Sequence, residues 1–123
     1  MVLGDIMKED KLGDLSMELS VEVLKLCKRL KAQKETFISN QIGRSAPSIC
    51  ANIAESKYAH GRADFIAKLQ ISLKEANETG KWLEMLIKSD YIDEEEFKKL
   101  NRLCSTIRVL LIKSINTAKA NQK

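Results

Sequence analysis

Apolar residues recur along this chain at steps of three and four, the period of one face of an α-helix turning 100° per residue. Leu12, Leu15, Leu19, Val23, Leu26 and Leu30 form one such stripe and predict a first helix over about 12–31. Ile38, Ile42, Ala46, Ile49 and Ile53 predict a second over about 36–57. Phe65, Ile66, Leu69, Leu73, Ala76, Gly80, Leu83 and Ile87 mark a third over about 63–88. A fourth, over about 93–119, carries Phe97, Leu100, Cys104, Ile107, Leu111, Ser114 and Ala118, widened by Leu103 and Leu110. The connection Ala32 to Glu35 is short enough to force its two helices into antiparallel contact. The pattern therefore predicts an all-α protein, an antiparallel up-down four-helix bundle forming a single domain over 1–123.

Particular residues punctuate these helices. Pro47 lies inside the second, where it removes a backbone hydrogen bond and crowds the Gly43 carbonyl at a typical cost of about 3 kcal/mol. A kink is expected there, with Gly43, Ser45, Ala46, Ser48 and Ala51 small enough to let another backbone approach. Gly61 is expected to take positive φ and end that helical segment. Gly80 costs about 1 kcal/mol relative to alanine inside a helix, which points to close helix contact. Asp93-Glu94-Glu95-Glu96 reads as a capping box, with Asp93 accepting from the Glu96 amide while the Glu96 side chain reaches back.

Two sets of residues do not fit a plain amphipathic bundle. Beside the apolar stripe of the second helix runs a polar one, Gln41, Ser45, Ser48, Asn52 and Glu55, with Arg44 at its edge. Glu75 and Glu78 of the third helix are expected to bond Arg44, Gln41 or Asn52, or a neighbouring subunit. These residues make a structural polar seam; a diiron site needs Glu-x-x-His pairs that the chain lacks. The second set is apolar and off the core: Met17, Val21 and Leu24 on the first helix, Ile71, Trp82 and Met85 on the third. That is more exposed apolar surface than a monomer needs, and a tryptophan there suits a buried contact with another chain.

Composition narrows the function. One proline, five glycines and no low-complexity tract leave no sign of a linker. The longest aliphatic run, Val109 to Ile112, is far short of a bilayer span, and Met1 to Asp10 lacks a basic flank and an apolar stretch, so a cytoplasmic protein without membrane contact is expected. Cys27, Cys50 and Cys104 are odd in number and far apart, which disfavours a disulfide framework or metal site and suits small core residues. No nucleophile, metal cluster or phosphate loop can be assembled, so neither an enzyme nor a cofactor is expected.

Charge supplies the positive indication. Lys and Arg outnumber Asp and Glu by 21 to 17, a formal charge of +4. Lys25, Lys28, Arg29 and Lys31 cluster at the end of the first helix, and after Glu96 no acid follows while Lys98, Lys99, Arg102 and Arg108 begin a basic run reaching Lys123. These eight form a candidate surface for the phosphates of RNA or DNA, contacted without reading sequence; each run alone also suits a solvated helix face. The loop Ser56 to Arg62 holds the only histidine, a tyrosine and two basic residues, types found both in surface turns and where a base stacks and a phosphate pairs.

The segment Gln41-Ile42-Gly43-Arg44-Ser45, through Ser48-Ile49 to Ala51-Asn52-Ile53-Ala54-Glu55, then Asp64-Phe65-Ile66 and Leu69 to Glu78, resembles the bacterial four-helix-bundle proteins encoded in intervening sequences of 23S ribosomal RNA genes. It is also similar to the accessory variability proteins of diversity-generating retroelements. The resemblance covers about 15–115 and is most specific over Ala51 to Glu55. It implies a bundle assembled into a homopentameric ring and, for the retroelement relatives, a basic surface that binds nucleic acid and a reverse transcriptase. The expected function is a nonenzymatic, oligomeric, nucleic-acid-binding accessory protein. The competing expectation is a protein-interaction scaffold presenting the polar seam.

Overall fold

The computed structural model describes residues 10–121. Four helices follow one another: α1 (Lys11–Ala32), α2 (Phe37–Ser56), α3 (Arg62–Lys88) and α4 (Glu94–Ala120). Each packs on its neighbour in chain order, and α1 closes the ring against α4. This is a four-helix bundle, with helix ends within one residue of those the periodicity predicts. Ala120 closes α4 and Asn121 caps it, while residues 122–123 lie outside the described part, as does most of Met1 to Asp10. Among the described residues no helix is long and apolar enough to cross a membrane.

Local chemistry starts and stops these helices. Asp10 caps α1 by accepting from the Gly13 amide at 3.0 Å, and Asp93 caps α4 by accepting from the Glu96 amide at 2.8 Å. The second half of the expected capping box is absent: the Glu96 carboxylate pairs with Arg29 of α1, a charged partner in place of a neutral amide. Both α1 and α3 end in a Schellman motif. Glu35 N donates to Leu30 O (2.8 Å) and Lys34 N to Lys31 O (3.0 Å); Tyr91 N donates to Leu86 O (2.9 Å) and Asp90 N to Ile87 O (3.1 Å). The residues in left-handed backbone are Lys34 (φ 64°) and Asp90 (φ 63°). Gly61 is extended, at φ −175°, and starts α3, contrary to the positive φ expected of it.

The core holds Leu19, Val23, Leu26 and Leu30 of α1, Ile42, Ala46, Ile49 and Ile53 of α2, Ile66, Leu69, Ala76 and Leu83 of α3, and Leu100, Cys104, Ile107 and Leu111 of α4, all buried. It is wider than the predicted stripes. Cys27, Leu86 and Ile115 are also buried, because a helix with two neighbours covers a broader arc than one seam, and Ile92 is buried from the connection between α3 and α4. A hydroxyl ties neighbouring backbones across these wider contacts, Ser72 Oγ donating to Ile49 O at 2.9 Å, while Ser20 Oγ donates to Ser16 O of its own helix at 2.7 Å and lies 3.3 Å from Ala46 O, on the other side of Pro47. Around that proline α2 continues as one helix. A methyl added at Gly43 would sit 3.1 Å from Cys27 Sγ, so α1 and α2 do approach closely there. At Gly80 the nearest atom would be Arg108 Nη1 at 3.6 Å, an ordinary contact, so close packing within this chain does not require that glycine.

Candidate functional site

Helix α2 lies between α1 and α3, and its outward face meets both. On one side Leu24 and Lys31 of α1 border a shallow groove of about 270 Å³ with Asn40, Gly43 and Arg44 of α2. On the other side Arg44 reaches α3, donating to Glu75 Oε2 at 2.6 Å and Glu78 Oε2 at 3.0 Å. The Glu75 side chain is 8% exposed and that of Arg44 53%, so the pair sits at the edge of the core rather than in it. Beneath it, Thr79 Oγ1 donates to Glu75 O (2.9 Å), which leaves Ser45 Oγ to donate to Thr79 Oγ1 (2.8 Å). The Arg44 guanidinium is raised further by its hydrogen bonds to Glu75 and Glu78. Glu78 is held below the usual carboxylate value, first by a side-chain hydrogen bond from the Glu75 carboxyl and then by its hydrogen bond from Arg44.

The remaining polar-seam residues do not join this cluster. Asn52 turns back on its own helix, its Nδ2 donating to Ser48 O (2.9 Å) and Ser48 Oγ (3.2 Å). Glu55 is exposed and pairs with Lys68 at 3.5 Å. Gln41 is half-buried, without a place in the Arg44 cluster. The seam thus divides into a charged contact to α3 and a local amide bond.

Apolar side chains flank the same face. Met17, Val21 and Leu24 are exposed along one stripe of α1, and Ile71 and Met85, each seven residues from Glu78, along one stripe of α3. Trp82 departs from the expectation that it points away from the core. It packs partly buried against the core and meets Phe37 edge-on, ring centroids 6.2 Å apart, while Phe37 itself is 67% exposed. A long indole on a stripe edge reaches the start of α2, which helical angle alone does not predict. Its Nε1 is buried with no hydrogen-bond partner among the described residues. Phe37 was not among the expected interface residues, because at the first position of α2 it precedes the periodic stripe.

The eight basic candidates separate by partner. Arg29 pairs with Glu96, and Lys99 with Glu22 at 3.3 Å, so these two stitch α1 to α4. Lys98 holds Glu94 of its own helix at 3.0 Å, an exposed pair of little energetic weight. Arg108 is half-buried and turns toward α3, its Nη1 3.5 Å from Asn77 Oδ1, away from the other basic residues of α4. Lys25, Lys28, Lys31 and Arg102 are exposed and have no carboxylate partner among the described residues. The one-signed runs of the sequence are thus interleaved in space with acids from neighbouring turns and helices.

Among the described residues no group of three or more His, Cys, Asp or Glu side chains comes together to hold a metal ion. Cys27 and Cys104 are buried, and burial pushes the Cys104 thiol up to about 11, so it behaves as a small core residue that donates to Ala76 O at 3.2 Å.

No curated protein matches the chain. A solved structure of similar fold is the 1.70 Å crystal structure of a protein of unknown function from the S23 ribosomal protein family of Bacteroides thetaiotaomicron. It is 48% identical, the match covers 85% of this chain and 97% of that one, and the TM-score is 0.83. Residues 8–113 match the family described as 23S rRNA-intervening sequence protein. With that match spanning most of the bundle and nearly half of the aligned residues shared with a solved relative, the chain belongs to the 23S rRNA-intervening sequence protein family.

Proposed function

We propose that this protein is a nonenzymatic accessory protein that works as a homo-oligomer and holds RNA or DNA by its phosphates. The observation that carries the reading is the segregation of its surface. Exposed apolar stripes of α1 and α3 flank α2, whereas Lys25 and Arg102 are exposed on the two helices that Arg29–Glu96 and Lys99–Glu22 join; of the basic candidates Lys31 borders the α2 groove instead. Two different apolar patches on one chain suit a head-to-tail contact, the α1 flank of one copy against the α3 flank of the next, and such contacts form a ring when the rotation between copies closes. A pentamer is the ring that the family resemblance implies. Assembly multiplies a charge of +4 per chain, so a modest surface becomes a multivalent phosphate binder. A reverse transcriptase is the protein partner that the same resemblance suggests.

The test is fluorescence anisotropy with a structured RNA and a duplex DNA of equal length at several salt concentrations. Log affinity is expected to fall steeply with log salt, and the triple charge reversal Lys98→Glu, Lys99→Glu, Arg102→Glu is expected to weaken binding to every sequence alike. Unchanged affinity in the triple variant removes α4 from the site. A second reading, a protein-interaction scaffold, is favoured by the engagement of Arg29 and Lys99 with acids of the same chain. Capture of a protein partner that survives high salt without nucleic acid supports it.

A further inference from the structure

At the end of the bundle where α2 passes into α3, a groove of about 690 Å³ opens between the connecting loop and the last turns of α4. Its size falls in the range of small-ligand sites. Three elements each contribute a cation to its lining: Lys57 from the end of α2, Arg62 from the first position of α3 and Lys113 from α4. Ser114 and Thr117 of α4 add hydroxyls, and Phe65 forms an apolar wall.

The charges there are only partly answered. Lys57 pairs with Asp10, and Asp64 accepts from the His60 amide at 3.4 Å. Arg62 Nη1 donates to the Asn121 carbonyl, a neutral partner that leaves the guanidinium charge uncompensated. Lys113 has no carboxylate partner among the described residues. No side chain caps the start of α3, and the loop above carries Tyr58 at 84% exposure.

We propose that this end groove binds the phosphate of a nucleotide unit, with Arg62 and Lys113 on the phosphate oxygens and the Ser114 and Thr117 hydroxyls beside the sugar. An arginine fork and an ammonium from two helices suit a tetrahedral oxyanion, and hydroxyls with an apolar wall suit a sugar and base. The inference deepens the nucleic-acid reading and rests on it, because the phosphate then belongs to a bound strand; the same chemistry also accepts a free nucleotide.

Two probes on the full chain separate these cases. One is a fluorescein-labelled ten-nucleotide single-stranded RNA followed by anisotropy, the other adenosine monophosphate followed by amide shifts of the labelled protein. Arg62→Glu and Lys113→Glu alter exposed side chains, and unchanged helicity by circular dichroism certifies each fold. A drop of about tenfold or more in RNA affinity in either variant, with adenosine monophosphate shifting amides at 57–62 and 113–118, supports the groove as a subsite for a strand. Shifts at those amides in a protein that does not bind RNA at low salt support a free-nucleotide site and end the nucleic-acid reading. Wild-type RNA affinity in both variants with no shifts overturns the groove, and leaves the nucleic-acid reading standing if the α4 triple reversal still abolishes binding.

Discussion

Lys34 and Asp90 hold left-handed backbone at the ends of α1 and α3, where glycine ordinarily sits. A Cβ in that conformation costs on the order of 1 kcal/mol, more for lysine than for aspartate, whose short side chain tolerates it. Lys34→Gly is therefore expected to stabilise the fold by about 1 kcal/mol, read as a rise of a few degrees in thermal midpoint; an unchanged or lower midpoint contradicts the strain. The cysteines make a second prediction at this scale. Cys50 is half-buried while Cys27 and Cys104 are buried, and Cys104 ionises only near 11. At pH 8 a thiol reagent should modify Cys50 first and leave Cys104 unmodified until the protein unfolds; early labelling of Cys104 by mass spectrometry would show an open core.

At the scale of elements, the helices were legible because 3.6-residue periodicity and the Asp93 cap are local signals that tertiary contacts only reinforce. Less was legible where a neighbour decides. Leu86 and Ile115 are buried by the second helix each of their own helices touches, and no single-helix stripe reveals that. The Schellman ends were missed because a lysine and an aspartate stand where the usual glycine signal belongs. Arg44 is the element-scale residue to test, since it bridges α2 to Glu75 and Glu78 of α3. Arg44→Ala is expected to cost about 1–2 kcal/mol at neutral pH, because it strips the buried Glu75 carboxyl of its cation while the partly solvated site screens part of the loss. The sign with pH follows from Glu78. Its folded value lies below its unfolded one, so the stabilisation is complete at neutral pH and is lost as pH falls through the folded value. Removing Arg44 takes away one cause of that depression, so the variant should lose less stability on acidification than the parent, by urea midpoints at pH 7 and pH 4. An equal or larger loss contradicts the assignment.

Across the whole molecule, the sequence read in one dimension overstated its basic runs. Lys99 meets Glu22 and Arg29 meets Glu96 only after α1 and α4 are brought together, so the pairing was invisible to any local count. The apolar stripes fared better, since Met17, Val21, Leu24, Ile71 and Met85 are exposed as their helical angles require, with Trp82 the exception because its length carries it to Phe37 at the start of α2. What the bundle adds is that both stripes border one helix. In the proposed assembly the stripes on either side of α2 are the contact between copies, and the nucleic-acid reading depends on it, because multivalent phosphate binding needs several copies of the same cations.

Multi-angle light scattering of the parent protein and of Leu24→Glu at micromolar concentration tests that dependence most directly. The account predicts a discrete oligomer for the parent and smaller species for Leu24→Glu with helicity unchanged; a parent protein of monomer mass, or an oligomer indifferent to Leu24→Glu, would contradict assembly through the α2 face.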